Sequence, residues 1–365
     1  MEKLNSKHFM FMIWGTCIIS MKTYPNIFII NGGRDSWISV IIASIFFLLY
    51  FIYILFVCKK NNCYNMNEIY HKALGKTMGD IFLILFVICL IVSLVEISSV
   101  EANALHLNML TDTPTWFFLL FLLIPAIYIT KKGTRSIIIV TIIGISLIMV
   151  AGINLSILTN KYKNYSYLLP IMADGITFPF ILSIIKALGC YGGISICIPF
   201  LSAVTNKSKL TKYCIIAILI VIQMEVIASI GVLTTFGVDR VLSINYPKLI
   251  QTQLVSYFNF LEGGEFFVML QMVGGWFIKY VITLNAIIIL LKKLSFFNKY
   301  TVYIISLVVF MISYFVSAKV LFVYKFLNLY VYFSVVCFIL IPVIVFSIFY
   351  IKTRKKDKNN YVNKM

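Results

Sequence analysis

The chain has 365 residues, 61% of them hydrophobic and 12% charged, with a mean hydropathy of +0.98. Such values belong to polytopic membrane proteins, and they exclude a separate soluble domain because no polar interval is long enough to bury a core of its own. The net charge of +18 could suggest nucleic acid, but its distribution along the chain points to lipid headgroups, and no nucleic-acid partner is expected.

Hydropathy marks about ten spans, roughly 9–28, 36–58, 80–107, 115–130, 136–158, 177–203, 212–236, 266–291, 300–317 and 326–351. The first apolar run, from about His8, lacks a small-residue cleavage site and continues as a full span. It therefore reads as the first helix and not as a removable signal. Trp14-Gly15-Thr16-Cys17 sits a little to one side of its middle, Ser20 follows, and Pro25 is expected to end it. In the third span, Glu96, Ser99, Asn103 and His106 fall within one arc of about 80° at 100° per residue, while Glu101 points elsewhere. A shared polar arc on a membrane helix faces protein interior or water; interhelical hydrogen bonding without ligand is the equally open alternative.

The sixth span, Ile176–Ala203, is long enough to cross a bilayer, since roughly 20 residues suffice. Its centre nevertheless holds Gly189-Cys190-Tyr191-Gly192-Gly193, with Lys186 one turn earlier. Glycine costs about 1 kcal/mol in a helix interior, and a charge at membrane depth costs more. Two readings stay open: a broken helix whose freed backbone groups face a ligand, or a glycine face for close helix packing. The eighth span carries Gly274-Gly275-Trp276, where packing is the default reading.

Lys and Arg residues divide between alternate connections. Segments on the side of the N-terminus hold twenty-one and those on the opposite side seven, which places both termini in the cytoplasm by the positive-inside rule and the basic tail, 352–365, against anionic lipid. Three bases (Lys22, Lys186, Lys279) and three acids (Glu96, Glu101, Glu225) lie within spans. Equal numbers predict internal pairing with Glu96, Glu225 and Lys279 as the candidate charge partners, and Lys279 with Glu225, mid-span on consecutive helices, as the expected couple, in a structural or an ion-coupling role.

The two longest connections, about 59–79 and 237–265, occupy corresponding places on opposite faces if the chain is two five-helix halves, about 9–158 and 177–351, within one transmembrane domain, 1–351. That is the pattern of an inverted repeat. Each connection can carry an amphipathic helix: Met66–Leu74, ending at Gly75, and one from Pro247 to Gly263 with Ile250, Leu254, Tyr257, Phe258 and Leu261 on one face. In inverted halves the first span mirrors the sixth. Breaks in both place half-helix ends at the bilayer centre, where N-termini attract a carboxylate and loose carbonyls an ammonium. An amino-acid-like zwitterion suits such a site, lined by Gly15, Thr16, Ser20, Asn103, Lys186, Gly189, Cys190, Tyr191 and Gly192. Eight cysteines lie mostly inside spans without metal-type spacing and read as small packing residues. The histidines at 8, 71 and 106 supply no nucleophile–base or metal set, so no catalytic residue, metal or cofactor is expected.

Several short strings carry a family resemblance. They are Gly32-Gly33-Arg34-Asp35-Ser36-Trp37-Ile38, Thr113-Pro114-Thr115-Trp116, Gly133-Thr134-Arg135, Leu168-Leu169-Pro170, Tyr191-Gly192-Gly193 with Pro199, Tyr246-Pro247-Lys248-Leu249, Phe260-Leu261-Glu262 and Phe277-Ile278-Lys279. In this order, over nearly the whole chain, they resemble the B subunit of endospore nutrient-germinant receptors, a branch of the amino acid–polyamine–organocation superfamily. The resemblance implies an all-α fold of ten transmembrane helices of the leucine-transporter type, with helices one and six broken. It also implies residence in the inner membrane of the spore, assembly with an A-type membrane subunit and a C-type lipoprotein, and the sensing of a small nutrient such as an amino acid. Two departures stand out: Gly263 where the family tends to carry Arg, and Met272 where Trp is usual. The competing function is an amino-acid permease working by alternating access, which needs the same broken helices.

Overall fold

The computed structural model describes residues 4–257, 261–262 and 264–362. They are almost entirely helical. Eight helical runs are long and apolar enough to cross a membrane, and a ninth apolar helix, Thr301–Ser317, is shorter. The first span lies in pieces: α1 (Ser6–Cys17) and α2 (Ile19–Thr23) add to these, while α3 (Asn26–Gly32) already belongs to the run that continues to Lys60. α4 (Ser36–Lys60) is the second span, α6 (Lys76–Asn108), α7 (Thr115–Lys132) and α8 (Thr134–Leu158) the next three, and α9 (Phe178–Tyr191) begins the sixth. α10 (Leu210–Ser243), α12 (Glu265–Lys293) and α13 (Thr301–Ser317) follow. The last span joins α14 (Val320–Ser334) to α15 (Ile341–Val362).

The interruptions have identifiable causes. In the first span the sharper break lies at Tyr24, which leaves the helical region (φ −128°, ψ 59°) just before Pro25. Proline has no N–H to continue the ladder, yet its fixed φ suits the start of a helix. Pro25 thus ends nothing: it caps α3, and the span runs on to Gly32, beyond the expected end near residue 28. The sixth span changes from α-helix to a 3-10 helix over Gly192–Ala203, with Gly192-Gly193 at the change and Pro199 inside. In the tenth span a π-helical turn covers Val335–Leu340. Pro342 cannot donate to the Phe338 carbonyl one turn back, and that oxygen instead accepts from Tyr50 Oη at 2.8 Å and from the Ser195 hydroxyl.

Three further expected boundaries move. The seventh span continues past residue 236 to Ser243, kinked at Gly237, whose φ of 71° is open to glycine. The helix α5 (Met66–Leu74) ends at Gly75 as expected. Its counterpart α11 runs only from Pro247 to Gln253, and Ser256–Tyr257 then pairs with Leu261–Glu262 as a two-stranded ribbon. The aromatic and β-branched run after Leu254 favours extended backbone over helix; Phe258 and Gly263 lie outside the described residues. The tenth span starts at Val320, not 326. Lys325 sits inside it on an exposed face, where a long stem carries its charge outward.

Contacts sort the connections onto two faces. Leu4 bridges Val204, Lys207 stacks over Tyr64, Lys293 reaches Asn65 and Thr353 reaches Asn61. On the opposite face Arg34 holds Leu169, Asp35 accepts from the Met172 amide, and Tyr324 holds Asn245. α5 and α11 therefore lie on opposite faces, α5 after the second span and α11 after the seventh. α3 packs against α9, and α1 against the 3-10 half of the sixth span, so the two divided spans run side by side in opposite directions.

Candidate ligand site

Where spans one, three and eight meet, four side chains close one hydrogen-bonded network. Lys279 Nζ lies 2.7 Å from Glu96 Oε2 and 2.6 Å from Ser20 Oγ. Glu96 Oε1 accepts from Ser20 Oγ at 3.1 Å and from Tyr24 Oη at 2.7 Å. The Lys279 and Glu96 side chains are 1% and 0% exposed. Burying two ions costs several kcal/mol each, and their attraction offsets this only when the remaining lone pairs and protons are also satisfied. Ser20 and Tyr24, one helical turn apart, provide that. The Trp276 ring, one turn before Lys279, lies 5.1 Å under its ammonium and stacks against Tyr24 at 6.4 Å.

The ion pair thus joins Lys279 to Glu96, which corrects the expected Lys279–Glu225 pairing. Consecutive position in the chain does not bring α10 and α12 face to face here; α12 packs mainly on α8 and α6, which carries Glu96. Glu225 is fully buried with neither carboxylate oxygen hydrogen-bonded, and its charged neighbours are Lys22 and Lys248. Among the described residues Lys186 pairs with no acid either: Nζ donates to Asn328 Oδ1 at 3.1 Å. Glu101 is buried apart from the others.

The remaining expected site residues do different things. Gly15 lies inside α1, where a Cβ would come within 2.7 Å of Ile278. Thr16 bonds its own helix and touches Cys197, and its carbonyl sits so close to Gly193 that a Cβ there would approach to 2.8 Å. At Gly189 a Cβ would strike the Val331 carbonyl, and at Gly192 the Ser334 hydroxyl, so these two glycines let the tenth span approach closely. Tyr191 stacks on Phe47 at 4.4 Å and bonds Ser44. Cys190 has Glu96 and Lys279 as its leading charged neighbours. Asn103 donates to the Ser317 carbonyl and accepts from Tyr246; Ser99 bonds its own helix and His106 the Thr113 carbonyl. The polar arc of the third span thus serves several partners, with Glu96 alone reaching the network. Nothing in the sequence marks Tyr24 or Asn328, and Trp276 is marked there only within a packing string; Tyr24 at i+4 from Ser20 is the spacing that could have shown the first.

Residues 3–323 match the family described as Spore germination protein. The chain belongs to that family. Spore germination protein XB of Bacillus anthracis is 24% identical over 271 residues, covering 73% of this chain and 75% of that protein. Among solved structures, a histidine-to-alanine variant of the Eremococcus coleocola manganese transporter is similar, with a TM-score of 0.61 at 14% identity over 92% of this chain and 77% of that one. A glutamate-to-glutamine variant of the same transporter gives 0.59 over the same shares. Likeness at that identity carries the fold alone, which is the leucine-transporter-type arrangement the resemblance implied. As a spore germination protein, then, the chain is a permease-like integral membrane protein. Two of its family strings meet in space: Arg34 of the Gly32–Ile38 string reaches the carbonyl of Leu169 in Leu168-Leu169-Pro170 at 3.0 Å. Among the described residues no group of three or more His, Cys, Asp or Glu could hold a metal ion.

Behind α2, on the side away from Glu96, this spore germination protein holds a cavity of about 320 Å³. A void of about 10 Å³ beside Gly15, Ile18 and Ile19 shares Lys22 and Gln271 with it; that is room for about one water.

Proposed function

We propose that this chain is the nutrient-sensing, permease-like subunit of a germinant receptor. It binds a small amino-acid-like ligand among spans one, three, six and eight, and the bound ligand shifts a closed–open equilibrium that signals germination. The observation that carries this reading is the sealed Glu96–Lys279 pair. A zwitterion presents the same two charges, its ammonium to Glu96 and its carboxylate to Lys279, and so can replace the internal pairing without leaving a buried charge unmatched. Ser20 and Cys190 lie beside that exchange. Only a ligand with different affinity for the two states can move the equilibrium, and a pair that must part in one state supplies the difference. The residue-poor backbone at Gly189 and Gly192 positions the sixth span for this exchange and contacts the tenth span itself. In this scheme the halves 9–158 and 177–351 act as inverted repeats. The chain works in the inner spore membrane with both termini cytoplasmic, in complex with A-type and C-type subunits; the positive-inside bias and the family support this.

Spores in which Glu96→Gln/Lys279→Met replaces the natural chain should retain it in the membrane, by immunoblot, and fail to germinate with amino-acid nutrients. A normal dose–response curve would remove the pair from the ligand site. The transporter-type fold favours a second reading, secondary amino-acid transport; uptake of labelled amino acid into vesicles holding this chain alone would select it.

A further inference from the structure

The cavity behind α2 is lined by lysines from three separate stretches: Lys22 in the first span, Lys163 after α8, and Lys248 at the start of α11. Among the described residues no carboxylate lies within ion-pair distance of any of them. Lys248 bonds the neutral Gln251 at 2.7 Å. Burial lowers the ammonium pKa of Lys163, and Lys248 is pushed down to about 7 by burial, then by Lys22 and Lys163, against a smaller pull from Glu225. Three cations thus share one buried acid and repel one another. Gln223, Gln271, Ser156 and Thr159 add hydrogen-bonding groups around them.

The walls are apolar, and they open sideways. Ile153, Ile157 and Ile227 line the cavity and are also exposed on the outer surface of α8 and α10, at 63%, 65% and 44%. α8 packs on α12 and α1, and α10 on α1 and α4, which leaves a slot between α8 and α10 facing the lipid. A cavity near 300 Å³ is at the lower end of sites for small organic ligands. Positive charge inside and an apolar slot toward the bilayer describe the complement of an amphipathic anion.

We propose that the cavity lined by Lys22, Lys163 and Lys248 is a second binding site, for a carboxylate or phosphate headgroup whose apolar tail lies in the slot between α8 and α10. It is separate from the Glu96–Lys279 centre and does not depend on it. Lys22 stands two residues from Ser20 in the same five-residue helix, so an anion drawing on Lys22 acts on the element that also forms the central network. Site occupancy thereby couples to the first span.

The purified full chain in nanodiscs of phosphatidylcholine tests this in two arms: retention of added phosphatidylglycerol in native mass spectrometry, and thermal-shift titration with octanoate. Saturable binding in the first arm alone identifies a membrane lipid, and in the second a diffusible carboxylate; both uphold an anion site. Lys163→Gln and Lys248→Gln should each weaken binding about tenfold, the order of one charge-assisted contact, and Ile153→Trp should block the slot. Glu96→Gln/Lys279→Met should leave binding unchanged, which separates this site from the central one. Binding in neither arm, or binding indifferent to both lysine variants and to Ile153→Trp, overturns the proposal.

Discussion

Two charged clusters, one buried and one half-buried, lie on either side of the short helix α2, and they are opposites. Toward Glu96, Ser20 completes a network in which two ions and two hydroxyls satisfy one another, sealed from solvent. Toward the cavity, Lys22 joins two other lysines with no acid in ion-pair reach among the described residues. The first cluster is complete as it stands and admits a ligand only by exchange. The second is unbalanced and gains from any anion. One five-residue helix thus separates a site that a ligand must open from one that a ligand would complete.

The largest expected effects come from the sealed side. Glu96→Gln or Lys279→Met alone leaves an unmatched buried ion, a loss of about 3–5 kcal/mol, and should deplete the chain from the membrane. The double substitution should recover most of it, by thermal unfolding in detergent. Equal losses for single and double variants would mean that the two charges do not act as a pair. Next comes Gly189→Leu, which drives a side chain into the Val331 carbonyl. Overpacking costs about 1–3 kcal/mol or more, so a lower unfolding temperature is expected, whereas unchanged stability would return Gly189 to a ligand-facing role.

On the unbalanced side, anion affinity should depend on pH. Below about 7 Lys248 already holds its proton in the empty chain; above it, the anion must bind together with a proton. Affinity should therefore be flat between about pH 6 and 7, where the anion is fully ionised, and fall by up to about tenfold per pH unit above neutrality. Lys22 in α2, Glu225 in α10 and Lys163 face Lys248 and set that midpoint; Lys248→Gln should abolish the dependence. The smallest effect is for Lys163→Gln in the anion-free chain. Removing one of three mutually repelling cations should leave the unfolding temperature unchanged or slightly higher, within about 0.5 kcal/mol, and a marked drop would show that Lys163 is structural.

Much of the architecture was legible in the sequence because hydropathy, loop charge and glycine placement are local signals. The Met66–Leu74 helix and the alternation of faces followed directly from them. Breaks set by a single proline were harder: Pro25 read as an end is a beginning, and the role of Pro342 shows only once Tyr50 and Ser195 are seen on the Phe338 oxygen. At the site, the sequence marked Ser20, Glu96 and Lys279 as polar residues at depth but paired Lys279 with the wrong acid, since adjacency in the chain does not fix which helices face each other. Lys163 counted only as a loop charge, and Lys248 as a loop charge within a family string, because nothing local says that two connections and a broken helix converge on one cavity.

The most direct test of the central claim is binding of a panel of isotopically labelled amino acids to the purified chain, with and without Glu96→Gln/Lys279→Met. Saturable binding of at least one zwitterion to the natural chain, lost in a double variant that unfolds at a similar temperature, is the predicted result. Equal binding by both chains would contradict it and place the ligand elsewhere.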